Sequence, residues 1–180
     1  MRTSIFTLAA VSAGALMLSA CGSESADSDG DGEISADEAK EAMADVEMTP
    51  GEYEMTVSFS EIDAPGLPEA AKGAMMEQIG KGTTVKTCIT EEQAKDPGAS
   101  MFGQPEGSGC TMDKLERSGN EMSVDMTCEA QGMKIVSVMD GTFEADGYAM
   151  DIDQKMTGSP AGDMSMKGRI ESKRIGDCAA

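Results

Sequence analysis

The sequence contains no histidine and no tryptophan. Without histidine, Ser–His and Cys–His nucleophile pairs, histidine-bound zinc and histidine-ligated haem are all excluded. Positive charge is also scarce. Fourteen Lys and Arg stand against 33 Asp and Glu, a formal net charge of −19. Such a chain does not bind nucleic acid or an anionic lipid surface through its own field, and it attracts cations instead. No GxSxG, P-loop or metal-hydrolase signature occurs. Carboxylate neighbours such as Asp151 and Asp153 fall at outward strand positions. The expectation is a protein that is not an enzyme.

The N-terminal segment is legible as a targeting signal. Arg2 is the only charge before Glu24, and an apolar run from Ile5 to Leu18 follows it. That run is shorter than the ~20 residues of a membrane-spanning helix, and its order of basic start, apolar middle and small-residue exit is that of a secretion signal. Leu18-Ser19-Ala20-Cys21 matches a bacterial lipobox. The resemblance implies cleavage of residues 1–20 and diacylglycerol on the Cys21 thiol, with the membrane as partner through that lipid. Gly22 after the anchor favours the periplasmic face of the outer membrane. Residues 21–49 then read as a lipidated linker and residues 50–180 as one domain.

Residues 27–38, Asp-Ser-Asp-Gly-Asp-Gly-Glu-Ile-Ser-Ala-Asp-Glu, resemble an EF-hand calcium loop. Asp27, Asp29 and Asp31 stand at loop positions 1, 3 and 5, Gly32 at the sharp turn, and Glu33 where a backbone carbonyl is offered. Ser35 reaches the ion directly or through water, and Glu38 is the bidentate twelfth position. Hard oxygen donors on a flexible loop suit Ca²⁺ better than Mg²⁺, which demands a tighter octahedron. Ser35 and Glu38 have capping-box spacing, and a helix is expected from Ala36 to about Val46, with Ala39, Met43 and Val46 on one stripe. No helix precedes the loop, so this is a half EF-hand. With no second loop to pair Ile34, an affinity of about 10⁻⁴–10⁻³ M is expected.

From Tyr53 the apolar period changes to two. Tyr53, Met55, Val57 and Phe59 alternate with polar residues, as do Met122 to Cys128, Tyr148 to Ile152 and Met164 to Ile170. Turn signals such as Gln131-Gly132, Asp140-Gly141 and Asp146-Gly147 separate the runs. The fold class expected is mainly β, a curved antiparallel meander sheet of about seven strands, preceded by the calcium-loop helix. A small barrel or sandwich is the alternative. The phase change at Ile135-Val136 suggests a bulge or a strand buried on both faces. One helix interrupts the strands, with Pro68 at its first turn and Ala71, Met75 and Ile79 on a face expected to cover the sheet. Cys88, Cys110, Cys128 and Cys178 read as two disulfides in an exported chain. Three pairings are open, and Cys88–Cys110 with Cys128–Cys178 is the expected one.

Pro50 to Val57, Val85 to Ala94 and the ending Arg174-Ile175-Gly176-Asp177-Cys178 together resemble the proteobacterial domain-of-unknown-function family numbered three thousand six hundred and seventeen, over about residues 48–178. Tyr53 stands where tryptophan is commoner in that family. The resemblance implies export and paired cysteines, and it carries no established activity. The 17 methionines bear thioethers that suit Cu(I), but most fall on strand periods, where methionine is a core filler. The functional expectation is a membrane-anchored envelope lipoprotein that binds calcium through one loop and carries a non-catalytic β-domain. The alternative is a periplasmic carrier of an apolar ligand such as a lipid.

Overall fold

The computed structural model describes residues 24–97, 109–159 and 162–179. The signal segment and Cys21 lie outside them. Among the described residues no helix is long and apolar enough to cross a membrane.

Seven strands form one open antiparallel sheet: β2 (Gly51–Asp63), β3 (Thr83–Ile89), β4 (Cys110–Ser118), β5 (Glu121–Ala130), β6 (Met133–Glu144), β7 (Gly147–Thr157) and β8 (Met164–Gly176). A two-residue strand β1 (Glu24–Ser25) extends it beside β4, giving the order β1-β4-β5-β6-β7-β8-β2-β3. The run β4 to β8 is a plain meander. The sheet does not close into a barrel, because β3 lies at one end of the order and β1 at the other. The turns are made where the sequence supplies left-handed residues. Gln131 and Gly132 have φ of 54° and 80°, and two consecutive positive φ values match the twist of a tight hairpin.

Directly opposed residues share a face, so the register sorts the two sides. Leu115, Val124, Met139 and Ile152 oppose one another in a row across β4 to β7. Ser123, Asp140, Asp151 and Arg169 form a row on the other side, across β5 to β8. One face is therefore apolar and the other wet. On the wet face Arg169 is 2.8 Å from Asp151 and 2.8 Å from Glu171. The strand β6 runs through Ile135 and Val136 without a register break against β5 or β7. The expected bulge is absent there, and Val136 and Val138 are half-buried on the wet face. The irregularities fall instead between Met112 and Lys114 and at two places along β2 with β8.

The helices differ from expectation in role. Helix α2 (Glu69–Ile79) has Pro68 as N-cap and not as a helical residue, and none of its residues is buried. Ala71, Met75 and Ile79 are only half-buried, so it packs at the margin beside β2 and does not cover the sheet. That role falls to α1 (Ala36–Ala42), helped by the single-turn α3 (Glu91–Ala94). Ala39, Met43 and Ala94 join Leu115, Val124, Met122, Phe143 and Tyr53 in one buried cluster. The segment read as a linker thus contributes Ala26, Ile34, Ala39, Met43 and Met48 to the core. Tyr53, fully buried, donates its hydroxyl to the carbonyls of Thr49 at 2.7 Å and Ala145 at 3.1 Å. Burial pushes its pKa up.

The cysteines pair as Cys88–Cys178 and Cys110–Cys128, not as expected. Strand register decides this. Cys110 stands directly opposite Cys128 on β4 and β5. Glu52 of β2 pairs with Cys88 on one side and Gly176 on the other, so β2 lies between β3 and β8, and Cys178, two residues past the end of β8, reaches Cys88 across it. Sequence spacing carries no trace of the crossover that makes β3 and β8 both neighbours of β2.

Candidate metal centre

The loop 27–38 is folded by its own carboxylates. Asp27 accepts from the amides of Gly30 at 2.7 Å and Gly32 at 3.2 Å, one on each oxygen. Asp29 accepts from Asp31 N at 3.2 Å, and Asp31 from Glu33 N at 2.8 Å. These side-chain bonds two to five residues onward wind the chain around the acidic groups. Gly32 has φ of 86°, the left-handed geometry that only glycine adopts at little cost.

Glu38 closes the loop from the first turn of α1. Ser35 is the N-cap, and a complete capping box is present: Glu38 N donates to Ser35 Oγ, and Ser35 N donates back to Glu38 Oε2 at 2.9 Å. The Ser35 hydroxyl also donates to Oε2 at 2.8 Å. The other oxygen, Oε1, accepts from the amide and hydroxyl of Ser28, both at 2.8 Å. Hydrogen bonds stabilise the ionised form. The backbone donors of Ser35 and then Ser28 hold the Glu38 pKa at about 2, against an ordinary 4.5.

Asp27, Asp29 and Glu38 converge, with one oxygen from each lying within 4.8 Å of the others. Three carboxylates at that spacing match the donor set of a hard divalent cation. Of the other positions singled out, Asp31 is turned to the Glu33 amide, and the Ser35 hydroxyl is engaged with Glu38. Neither these two nor the Glu33 side chain belongs to the convergent trio. Ser28 was not anticipated: at the second loop position it holds Glu38 in place by two bonds, and the only sequence signal is a hydroxyl next to the first ligand.

The loop is seated on the sheet. Ile34 is buried, and its amide donates to the Met112 carbonyl of β4 at 2.7 Å. Ala26 N donates to Leu115 O at 2.9 Å, and Glu24 and Ser25 pair with Arg117 and Glu116. Beyond α1, Asp45 meets Arg117 at 2.8 Å, and Lys40 meets Asp96 at 3.1 Å. The partner that Ile34 lacks in sequence is therefore provided by β4. An open groove of about 600 Å³ runs between the loop and the β4–β5 turn, lined by Ser28, Glu38, Glu41, Asp45 and Arg117 among others.

A family model described as "Protein of unknown function (DUF3617)" matches residues 48–178. The chain belongs to this family. The family's span covers the seven large strands, α2, α3 and both disulfides, and it begins at Met48. The calcium-like loop and α1 precede it, yet they fill the core over Met112 and Leu115. In this member of DUF3617 the apolar face is thus completed by a segment outside the family's span. No curated protein and no solved structure matches the chain.

Proposed function

We propose that this member of DUF3617 is a non-catalytic envelope lipoprotein, anchored by lipid on Cys21, whose loop 27–38 binds Ca²⁺. The observation that carries the calcium reading is the convergence of Asp27, Asp29 and Glu38 in a loop of EF-hand pattern. Ca²⁺ draws the remaining oxygens from the Asp31 carboxylate, the Glu33 carbonyl, Ser35 and water, at 6–8 ligands in all. Because Ile34 and α1 are packed on β4, the ion fastens the N-terminal segment to the sheet and does more than stiffen a tether. The affinity expected is that of extracellular modules, ~10⁻⁴–10⁻³ M. The export signal supports an anchor on Cys21. Only residues 22 and 23 separate Cys21 from β1.

Calorimetry on the soluble chain starting at residue 22 tests the calcium reading. A heat of binding with one Ca²⁺ per chain is expected, abolished by Asp27→Ala with Glu38→Ala. Absence of heat at millimolar Ca²⁺ sinks it. The anchor is tested separately by mass spectrometry of the membrane fraction, where an acylated Cys21 N-terminus is expected and a free one refutes it.

A further inference from the structure

The apolar face of the sheet is not uniform. Over α1 the buried positions mix methionine with Tyr53, Leu115, Val124 and Phe143. At the far corner, where β6 begins, β7 ends and β8 begins, the six positions on this face are Met133, Ile135, Gln154, Met156, Met164 and Met166. The four methionines are half-buried, and none belongs to the buried core. They therefore depart from the core-filling role expected from their strand period.

The register brings three of these together. Met156 stands directly opposite Met164 across β7 and β8. Met166 is two residues along β8 on the same face, opposite Gln154. Met133 precedes Lys134, which opposes Thr157, so it lies diagonal to Met156 but two strands from Met164 and Met166, outside their reach. Opposed Cβ atoms in such a sheet are about 5 Å apart and diagonal ones about 7 Å. Methionine has three rotatable bonds, enough to let the sulfurs of Met156, Met164 and Met166 meet one ion.

Among the described residues, methionine sulfur is the soft donor left to such a cation. Histidine is absent, and Cys88, Cys110, Cys128 and Cys178 are all held in disulfides. Thioethers select Cu(I), whereas carboxylates such as those of the loop select hard ions. A chain of net charge −19 also raises the local concentration of cations. We propose that Met156, Met164 and Met166 form a thioether site for a soft monovalent cation, Cu(I), separate from the calcium loop. The site binds the ion without redox change. Its ligands are neutral, so binding releases no proton.

Anaerobic titration of the full soluble chain with Cu(I), in competition with a chromogenic Cu(I) chelator, tests this. A single equivalent is expected to be withheld from the chelator. Ag(I) added to protein labelled at the methionine methyls should shift the signals of Met156, Met164 and Met166 and leave that of Met150 in place. Met156→Leu with Met164→Leu conserves volume, so the variant should melt as the parent does while losing the Cu(I) equivalent. The proposal is overturned if the parent does not compete, if the double variant still does, or if Ag(I) shifts the core methionines and not these. Calcium binding at the loop is read independently by calorimetry, so failure of either reading leaves the other standing.

Discussion

Replacing Met43 with alanine tests whether the segment ahead of Pro50 belongs to the folding unit. Met43 is 1% exposed and sits in the cluster that contains Leu115, Val124 and Met122 of the sheet. It is the C-cap residue of α1, and its amide donates to Ala39 O at 3.1 Å, a backbone bond that alanine preserves. The cost of the substitution is therefore the lost burial and the cavity left over β4 and β5. For methionine to alanine in a packed core this is about 2–5 kcal/mol. In a domain of this size each kcal/mol moves the melting temperature by about 2–4 °C, so the midpoint should fall by roughly 4–20 °C. The assay is thermal melting in EDTA, followed at the far-ultraviolet β-sheet signal so that the reading comes from the sheet and not from α1. Glu41→Ala, an exposed change on the same helix, serves as the control and should leave the midpoint nearly where it was. If the sheet of Met43→Ala melts at the parent temperature, the N-terminal segment is a tether and its seating on β4 contributes nothing to the fold.

The two disulfides should contribute unequally. In the chain-entropy model the Cys88–Cys178 bridge, with a separation of 90, contributes about 4.5 kcal/mol and Cys110–Cys128, with a separation of 18, about 3. Urea unfolding of the paired serine variants should rank them in that order, and a non-reducing peptide map that yields a Cys88–Cys110 fragment would contradict the register. Glu38 predicts an acid dependence in the metal-free protein. Its folded pKa is about 2 against 4.5, a depressed value, so its contribution is fully present above about 4.5 and is lost as pH falls through about 2. The stability gap between parent and Glu38→Gln should accordingly shrink across that window, and a gap that stays constant would show that the Ser28 and Ser35 bonds do not favour the charged form. Tyr53→Phe removes a buried hydroxyl bonded to Thr49 and Ala145. It should cost about 1 kcal/mol in urea unfolding, and an unchanged midpoint would mean that water replaces those bonds.

Much of this protein is written locally. The two-residue alternation of Tyr53 to Phe59, Met122 to Cys128 and Tyr148 to Ile152 specified strands, because side chains on a pleated strand point to opposite faces whatever their partners are. The turn residues Gln131-Gly132 specified a hairpin through backbone conformations that few residues adopt. The candidate metal centre was legible for the same reason. Asp27, Gly32, Ser35 and Glu38 act on one another within twelve consecutive positions, and their hydrogen bonds are local. What tertiary structure decided was every relation between distant residues. The pairing of Cys88 with Cys178 depends on β2 lying between β3 and β8. The continuous register of β6 through Ile135 depends on β5 and β7 supplying partners on both sides. The choice of α1 over α2 as the cover depends on which helix meets the face carrying Leu115 and Val124. Methionine is an adaptable filler wherever it falls, so its periodicity alone cannot separate Met150 in the core from Met156 and Met164 at the open corner. That division is set by where α1 ends and the sheet continues beyond it.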